Sequence, residues 1–441
     1  MKQEPTSNKV HRLREFRQQA YECMRQARDA QMGLVDALLT DSMAESVVEL
    51  SLNPLFRRKW SSVYAALRDG RLDSDRLVRL YMKHVPDSER PVWALDASTW
   101  QRPDAETLPE RGYHHVASRV KNNKPVSVGH SYSTVTVVPE QEGSWALPLR
   151  HERIAVGESA VSVGARQARK LATHSRRRPI VTVDSAYAGP KWLEDTRDAP
   201  FDTLGRLRPN RCLYRRPGPY GGRGRPREDG EALNLRQPDT WHTPDEAVCL
   251  RDPDLGRVEI TVWHHMHFRG ARDRDVTVIH VRRLDARGTR RSPVNLWLMY
   301  DGLTPFNLLE DWRVYLRRYT IEHWYRFIKN DLLWTAFAGT GLHNTQLWSW
   351  LVTLAYWQLW LARDIVADQP RAWERCPAPP RRLTPGRVKR AFAGLIASIG
   401  TPTRCPKPRG KSPGRLPGSK IPPRIRHPVV KMGRAIQPVA V

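Results

Sequence analysis

The sequence predicts an α/β (α+β) protein in which a mixed sheet with flanking helices is interrupted by a β-rich insertion. Three features of its 441 residues support this fold class. Apolar residues follow a helical spacing, with few breakers, over residues 10–90. Short β-branched runs surround one helical run over residues 91–190, which is typical of a domain with a mixed sheet. Alternating strand-like runs then fill much of residues 215–293.

The first segment, residues 1–90, is predicted to be a helical N-terminal domain. Its longest helical pattern is HRLREFRQQAYECMRQARDAQMGLVDALL, and the shorter runs RKWSSVYAALRDG and DSDRLVRLYMKHV follow it. Gly70 is placed to end a helix, and Asp73 or Ser74 is placed to cap the next one, because glycine favours helix ends and Asp and Ser favour helix starts.

Residues 91–214 are predicted to form the first part of a central domain. The near-continuous apolar strand VWALDAST has Asp96 at its end, and the strand PIVTVDSAY has Asp184 near its end. The helical run SAVSVGARQARKLATHS lies between them. Valine, isoleucine and threonine favour such strands. Each aspartate taken alone has a second interpretation as a turn or helix cap.

The β-rich insertion is assigned to residues 215–293, and the central domain resumes over residues 294–366. The insertion opens with the loop PGPYGGRGRPREDGE and continues with RVEITVWHHMHF and RDVTVIHVRRL. The resumed domain contains the strand NLWLMYDG and the helical run DWRVYLRRYTIEHWYRFIKNDLLW. Its run LWSWLVTLAYWQLWLA is 16 residues long and contains Ser, Thr and Gln, so we expect a buried helix and not a membrane span.

The charge of the chain predicts a polyanionic partner. Lys and Arg number 73 against 46 Asp and Glu, for a net charge of +27, and nucleic acid is the commonest partner of such a protein. Residues 367–441 form a basic Pro/Arg-rich tail, with one helix expected at 384–400. From residue 370 the tail holds 17 Lys and Arg and one acid, a net charge of +16. A ribosomal or chromatin-like protein without chemistry is the alternative interpretation.

The cysteines and the N-terminus indicate a cytoplasmic protein without a membrane partner. The five cysteines are scattered, with no CxxC pair, which argues against a disulfide framework or a zinc cage. The first residues, MKQEPTSNKVHRLREF, lack the apolar stretch of a secretion signal. The sequence also lacks the P-loop and GxSxG patterns, so nucleotide hydrolysis and acyl transfer have no support.

Four residues in the helical run at 311–334 share one helix face. Tyr315, Arg318, Glu322 and Lys329 have offsets of 0, 3, 7 and 14. At about 100° per residue they fall within an arc of roughly 60°, so one helix can direct all four at the same target. Such a face suits a site that handles a metal ion and a phosphodiester, while a solvated helix face is the plainer interpretation of the two cations.

Three carboxylates from different segments form the candidate catalytic set. Asp96 and Asp184 follow apolar strands, and Glu322 lies on the helix after a third strand. Cleavage of a phosphodiester and transfer of its strand need an attacking and a leaving oxygen activated on opposite sides of one phosphorus. Two divalent cations do this when carboxylates hold them about 3.5–4 Å apart. The sequence therefore predicts a two-metal site, provided that the fold brings the three acids together.

These residues resemble the DDE transposase superfamily, and most closely its bacterial insertion-sequence branch with the Y-x2-R-x3-E-x6-K signature. The resemblance covers roughly residues 90–365 and implies a ribonuclease-H-like catalytic domain, with a β-rich insertion between the second Asp and the Glu. It implies that Asp96, Asp184 and Glu322 are catalytic and bind two Mg²⁺ ions, with Mn²⁺ as a substitute. It also implies that Tyr315, Arg318 and Lys329 contact DNA.

The same resemblance suggests a DNA contact for Trp297 in NLWLMYDG. Some members of the branch stack a flipped base on a tryptophan before the last core strand. Stacking a free base on an indole contributes about 1–3 kcal/mol, enough to help hold an extruded nucleotide. A tryptophan of the hydrophobic core is the competing interpretation of Trp297.

The function that the resemblance implies is cut-and-paste transposition. The protein would bind the terminal inverted repeats of double-stranded DNA, cleave them and join them to target DNA, as a homodimer on paired ends. The helical domain at 1–90 would be a candidate reader of those ends, with a packing domain as the equal alternative. Two further hypotheses stay open: a catalytically inactive or domesticated DNA-binding relative, and another nuclease of the same fold, such as a junction resolvase. A nucleoid-associated location in the cytoplasm would follow.

Overall fold

The computed structural model describes residues 6–115, 126–222, 224–285, 294–374, 383–407, 414–420 and 422–431. Parts of the predicted segments 1–90, 91–214, 215–293 and 367–441 therefore lie outside the described residues. The α-helices are α1 (Thr6–Cys23), α2 (Arg28–Thr40), α3 (Ser61–Asp69), α4 (Ser74–His84), α5 (Ala160–Ala172), α6 (Pro190–Asp195), α7 (Asp311–Leu316), α8 (Thr320–Asn330), α9 (Leu342–Ala362) and α10 (Pro385–Ile399).

The strands alternate with these helices in the middle of the chain. They are β1 (Met24–Gln26), β2 (Arg71–Leu72), β3 (Val92–Gln101), β4 (Gly112–His115), β5 (Val126–Val137), β6 (Leu147–Arg153), β7 (Ile180–Val183), β8 (Asp202–Arg206), β9 (Cys212–Tyr214), β10 (Ala232–Asn234), β11 (Glu246–Asp252), β12 (Gly256–Phe268), β13 (Ala271–Arg283) and β14 (Asn295–Asp301). The structure is thus a mixed α/β fold, as the sequence predicts.

The N-terminal helices pack on the apolar helix α9. Gly70 ends α3 and donates its backbone N–H to the carbonyl of Ala66. Asp73 caps α4 by accepting the backbone N–H of Arg76, which confirms the predicted stop and one of the two predicted caps. Helices α1, α2, α3 and α10 all contact α9, so they share one hydrophobic core with it.

Helix α9 is buried on nearly all sides, as the sequence predicts for its apolar run. Even its polar residues Ser349, Thr353 and Gln358 are inaccessible to solvent. Ser349 and Thr353 donate to backbone carbonyls of the same helix, which satisfies their hydroxyl groups inside the core. Among the helices of the described chain, none combines the length and the apolar character that a membrane crossing demands.

The centre of the sheet has the strand order β6-β5-β3-β7-β8. Strand β5 is antiparallel to β3 and to β6, whereas β7 is parallel to β3 and β8 is parallel to β7. Helix α5 connects β6 to β7 and packs on the sheet. Because β3, β7 and β8 run in the same direction, their carboxyl ends meet at one edge of the sheet.

The strands of the insertion continue this same sheet. Strand β14 pairs with β8, β13 pairs with β14, and β12 pairs with β13; strands β9 and β11 both pair with β12. The prediction that residues 215–293 are rich in β-strands is confirmed. Strand β14, which follows the insertion, covers the edge of β8, which would otherwise present unpaired backbone N–H and C=O groups, and the inserted strands β13 and β12 extend the sheet beyond β14.

The predicted helix at 311–334 is split in the structure. A 3₁₀ turn at Arg317–Tyr319 separates α7 from α8, so the constant angular spacing assumed for one continuous helix is wrong. The Thr320 hydroxyl donates to the carbonyl of Arg317, a local bond that competes with regular helical pairing. The expected core side of the helix is confirmed, since Ile321, Trp324 and Ile328 are fully buried.

Candidate active site

Asp96 and Asp184 lie side by side where the parallel pairing of two strands ends. The pairing of β3 with β7 ends at Leu95 and Val183, and each aspartate is the next residue. Neighbouring strands are about 5 Å apart, so the two backbone positions are adjacent. Strand β3 is longer than predicted because its pairing with β5 continues to Gln101. Asp96 therefore lies within the strand and not at its end.

Each aspartate uses one carboxylate oxygen for its own backbone. Oδ1 of Asp96 accepts the N–H of Ala97 at 2.8 Å, and Oδ1 of Asp184 accepts the N–H of Ala186 at 2.8 Å. The turn-cap interpretation thus describes part of what Asp184 does. In both residues the other oxygen, Oδ2, is left for interactions across the site.

Arg318 contacts Asp96 directly. An Nη2 atom of its guanidinium lies 3.2 Å from Oδ2 of Asp96, and the residue is only 8% exposed. Burial raises the pKa of Asp96 to about 6, although the Arg318 charge opposes that rise. The carboxylates of Asp184 and Glu322 raise the pKa further because like charges lie near Asp96.

Glu322 extends from the first turn of α8 and is exposed. Helix α8 is fixed to the sheet three residues later by Tyr325, which is buried. The hydroxyl of Tyr325 lies 3.1 Å from the carbonyl oxygen of Asp96 and 2.7 Å from Oγ1 of Thr134. This link fixes the start of α8, and hence Glu322, relative to the strand that carries Asp96.

Of the remaining signature residues, Tyr315 is buried and Lys329 is half-buried. Tyr315 is 9% exposed, and burial raises the pKa of its phenol within the field of Arg318 and Asp184. The ammonium of Lys329 donates to the Ser98 hydroxyl at 2.8 Å and lies 5.8 Å from the ring centre of Tyr325. Burial lowers the pKa of Lys329, while Asp96 opposes that change.

Trp297 lies away from this cluster, in the core of the inserted strands. It is 4% exposed and stacks on His280, with ring centres 4.0 Å apart. Trp263 stacks at 5.8 Å, and Trp241 contacts it edge-on at 5.1 Å. Since its ring is covered by protein, a base could stack on Trp297 only after these residues move. The position agrees with the core interpretation.

Two buried donors at the site lack acceptors within the described residues. The Tyr187 hydroxyl is one, and Nε of Arg318 is the other. The charges of Asp96 and Asp184 both act on Tyr187, whose pKa is raised mainly by burial. Because buried donors are rarely left unsatisfied, an oxygen-rich group such as a phosphate or a metal-bound water would suit this position.

The carboxylates supply the oxygen ligands that Mg²⁺ prefers, but they are not closed around an ion position. Within the described ranges, no three His, Cys, Asp or Glu side chains lie close enough together to hold a metal ion. Arg318 pairs with Asp96 where a cation would compete for the same oxygen. Metal binding would therefore require Arg318 to release Asp96 and Glu322 to turn inward.

Two tyrosines of the site, Tyr325 and Tyr187, were not predicted from the sequence. Tyr325 follows Glu322 by three residues, so helical spacing alone places it beside the signature face. Tyr187 lies three residues after Asp184, in the turn where its backbone N–H donates to the carbonyl of Asp184.

The comparison with protein families agrees with this geometry. The family model described as DDE superfamily endonuclease matches residues 19–267, which is more than half of the chain. The match includes Asp96 and Asp184 and ends before Glu322. A search of curated proteins returned no match. From the extent of the family match, we conclude that the chain belongs to the DDE superfamily endonucleases.

Proposed function

We propose that the protein is a DNA transposase that binds the terminal inverted repeats of an insertion sequence, cleaves the DNA there and joins the freed 3′ hydroxyl to target DNA. The observation that carries the proposal is the pair Asp96 and Asp184 at adjacent positions of two parallel strands, with Arg318 paired to Asp96 and Glu322 close enough to affect the Asp96 pKa. Acids from three separate segments lie near enough to act on one another electrostatically, and this supports a shared site that closes when metal and DNA bind.

Asp96, Asp184 and Glu322 are the residues that would hold two divalent ions, Mg²⁺ or Mn²⁺. Such ions supply activation of the attacking oxygen and stabilisation of the leaving oxygen at phosphorus. For a metal ion to bind, Asp96 has to be ionised and Arg318 has to move away from it. Arg318, once released, would pair its planar fork with phosphate oxygens. Lys329 and Tyr315 would hold and orient neighbouring phosphates.

The strand order supports a ribonuclease-H-like assignment for the catalytic domain. A central strand with one antiparallel hairpin on one side and two parallel strands on the other is the expected arrangement, and β6-β5-β3-β7-β8 has it. We assign residues 91–214 and 294–366 to this domain and residues 215–293 to the insertion. Residues 1–90 would contribute to end recognition, and the basic tail at 367–441 would bind DNA without sequence preference.

The remaining parts of the proposal rest on the resemblance. A homodimer would act on paired ends, as in other insertion-sequence transposases, and the protein would work at the nucleoid. The Y-R-E-K branch is supported by Tyr315, Arg318, Glu322 and Lys329, all of which face the strand of Asp96 or its surroundings.

The test is cleavage of a plasmid that carries the gene with its native flanking DNA. Wild-type protein should release the ends only when Mg²⁺ or Mn²⁺ is added, and the Glu322→Gln variant should lose more than about 100-fold in rate. Glu310→Gln is the matched control, because Glu310 is an exposed carboxylate at the start of α7. A Glu322→Gln protein that cuts at the wild-type rate would refute the assignment.

The products separate the proposal from its two rivals. Capture of joined ends in a target plasmid supports transposition. Cleavage without joining indicates a nuclease of the same fold. Metal-independent binding of the ends without any cleavage by the wild-type protein indicates an inactive relative.

A further inference from the structure

We propose that the opposite edge of the sheet carries a second surface, which binds the phosphate backbone of double-stranded DNA away from the cleaved position. This inference rests on the proposed function for its choice of DNA as the polyanion. The surface, here called the basic groove, is formed by Arg79 and Lys83 of α4 and by Arg176 and Arg177 before β7. These four residues line one cavity of about 320 Å³.

The four cations of the basic groove are exposed and unpaired. Within the described part of the chain, none of their side chains makes a hydrogen bond or an ion pair. Their neighbours differ: Arg178 pairs with the buried Asp202 at 2.6 Å. Because most arginines around the groove have carboxylate partners and these four do not, their charge is available to an external anion.

One acid lines the groove against these four cations. Asp87 is exposed and lies in the linker between α4 and β3. The lining therefore has a net charge of +3 with histidine neutral. On the other side of the same linker, a larger cavity of about 920 Å³ is lined by five acids and three arginines, for a net charge of −2 with histidine neutral. A polyanion would be attracted to the first side and repelled from the second.

A second cavity beside the groove shares Arg79 and Lys83 with it, so the cationic surface extends beyond the size of a single phosphate. Arg79 also lines two smaller cavities along α4, one with Arg76 and one with Lys170. Arg79 and Lys83 are one helical turn apart and thus share one face of α4, whereas Arg76 on the same face is paired with Glu22. A strip of cations along a helix can follow successive phosphates of one DNA strand.

The basic groove is separate from the carboxylates. Pro91 lines it at the amino end of β3, five residues before Asp96. At about 3.3 Å per strand residue, the two positions are roughly 16 Å apart. The same phosphate cannot contact both, so the groove should contribute to DNA affinity without affecting the chemical step.

The test is the salt dependence of DNA binding by the full-length protein, measured by fluorescence anisotropy with a 30-base-pair duplex in EDTA. Each phosphate contact contributes about 0.9 to the slope of log K against log salt concentration. The variants R79A/K83A and R176A/R177A should each reduce that slope by about 2, and the quadruple variant by about 3–4. All substituted residues are exposed, so melting temperatures should be unchanged.

The matched control is R236A/R251A, which removes two exposed arginines from the insertion. If the groove variants lower the slope no more than this control does, the basic groove is not a DNA-binding surface. Cleavage at saturating protein separates the two proposals. A wild-type protein that cuts DNA while the groove variants bind normally contradicts the groove alone. A protein that binds through the groove and never cuts contradicts the proposed function alone.

Discussion

The two ends of strands β3 and β7 differ in charge and in exposure: one end has partly buried aspartates, and the other has exposed arginines. At the carboxyl ends, Asp96 is half-buried and paired with the buried Arg318. At the amino ends, Arg176 and Arg177 are exposed and have no carboxylate partner in the described chain. A desolvated charge has its pKa and position set by the protein, whereas an exposed charge is free to meet a mobile polyanion.

This difference in environment assigns catalysis to the side of Asp96 and DNA binding to the side of Arg176 and Arg177. The net charge of the chain cannot make that distinction. The net charge of +27 indicates a polyanion but gives no location for it, because many arginines serve internal ion pairs. The pair between Arg178 and Asp202 is such a case, as is the pair between Arg76 and Glu22. We therefore expect substitutions at the carboxyl ends to change rates, and substitutions at the amino ends to change affinities.

The largest effect is expected for Asp184→Asn. The change removes a carboxylate charge at the candidate metal site while keeping the side-chain volume and the turn acceptor. Metal-dependent cleavage should fall by more than about 100-fold, and DNA affinity in EDTA should stay within about twofold of wild type. Gel-based cleavage and anisotropy measure the two quantities. A large loss of DNA affinity with normal cleavage would contradict the expectation that Asp184 acts in catalysis and not in DNA binding.

Arg318→Gln should have the next largest effect, through Asp96. Removing the guanidinium leaves the carboxylate half-buried without its counter-charge, so the pKa of Asp96 should rise above about 6. An opposite charge at this distance shifts a pKa by about 1–3 units, and the acidic limb of the cleavage rate should move to higher pH by that amount.

The control for this variant is Arg317→Gln. Arg317 donates to the backbone carbonyls of Glu140 and Val138 and has no contact with Asp96. The Arg317→Gln variant should be somewhat less stable than wild type, and the acidic limb of its cleavage rate should stay at the wild-type pH. An unchanged pH profile in Arg318→Gln would show that the ion pair does not set the Asp96 charge.

The raised pKa of Asp96 should also affect the stability of the fold, an effect that is smaller than those on cleavage and can be measured without catalysis. Asp96 has a pKa of about 6 in the fold, against 3.8 as its ordinary value. Between these two values the unfolded chain loses the proton before the folded one does. The wild-type protein should therefore lose stability as pH rises from about 4 to 6.

Asp96→Asn lacks this titration, so it isolates the effect. The variant should gain stability relative to wild type across that pH range, reaching about 3 kcal/mol, since the shift is about two pKa units and one unit corresponds to about 1.4 kcal/mol. Urea unfolding in metal-free buffer at pH 4, 5, 6 and 7 measures the difference. A constant difference at all four values would show that Asp96 is not desolvated.

How much of this could be predicted from sequence depends on the range of each interaction. The strands that carry Asp96 and Asp184 were predicted because β-branched runs and their polar ends are local patterns. The 3₁₀ turn at 317–319 was not, since it depends on contacts such as that of Arg317 with a carbonyl 177 residues away. The continuation of the insertion into the main sheet likewise depends on long-range pairing of β14 with β8.

In the candidate site, too, local patterns were predictable from the sequence and long-range contacts were not. Helical spacing placed Tyr315, Arg318, Glu322 and Lys329 together, but it could not show that Arg318 pairs with Asp96 and not with solvent. The basic groove was invisible in the sequence because α4 and residues 176–177 are about a hundred residues apart and each looks like an ordinary solvated segment. Only the fold brings their charges to one cavity.

The smallest expected effect comes from Asp87→Asn at the basic groove, and its sign is the informative part. Asp87 is the one carboxylate lining the groove among the described residues, so its removal should strengthen binding of the 30-base-pair duplex. The gain should be about two- to threefold at low salt, typical of one exposed charge, and should vanish at high salt. Asp104→Asn, an exposed loop residue, gives the same change in net charge and is the control. Equal gains from both variants would mean that DNA responds to net charge alone. A selective gain from Asp87→Asn would show that the amino ends of β3 and β7 meet the DNA backbone, while the same Asp-to-Asn change at Asp184, on the other strand ends, removes cleavage.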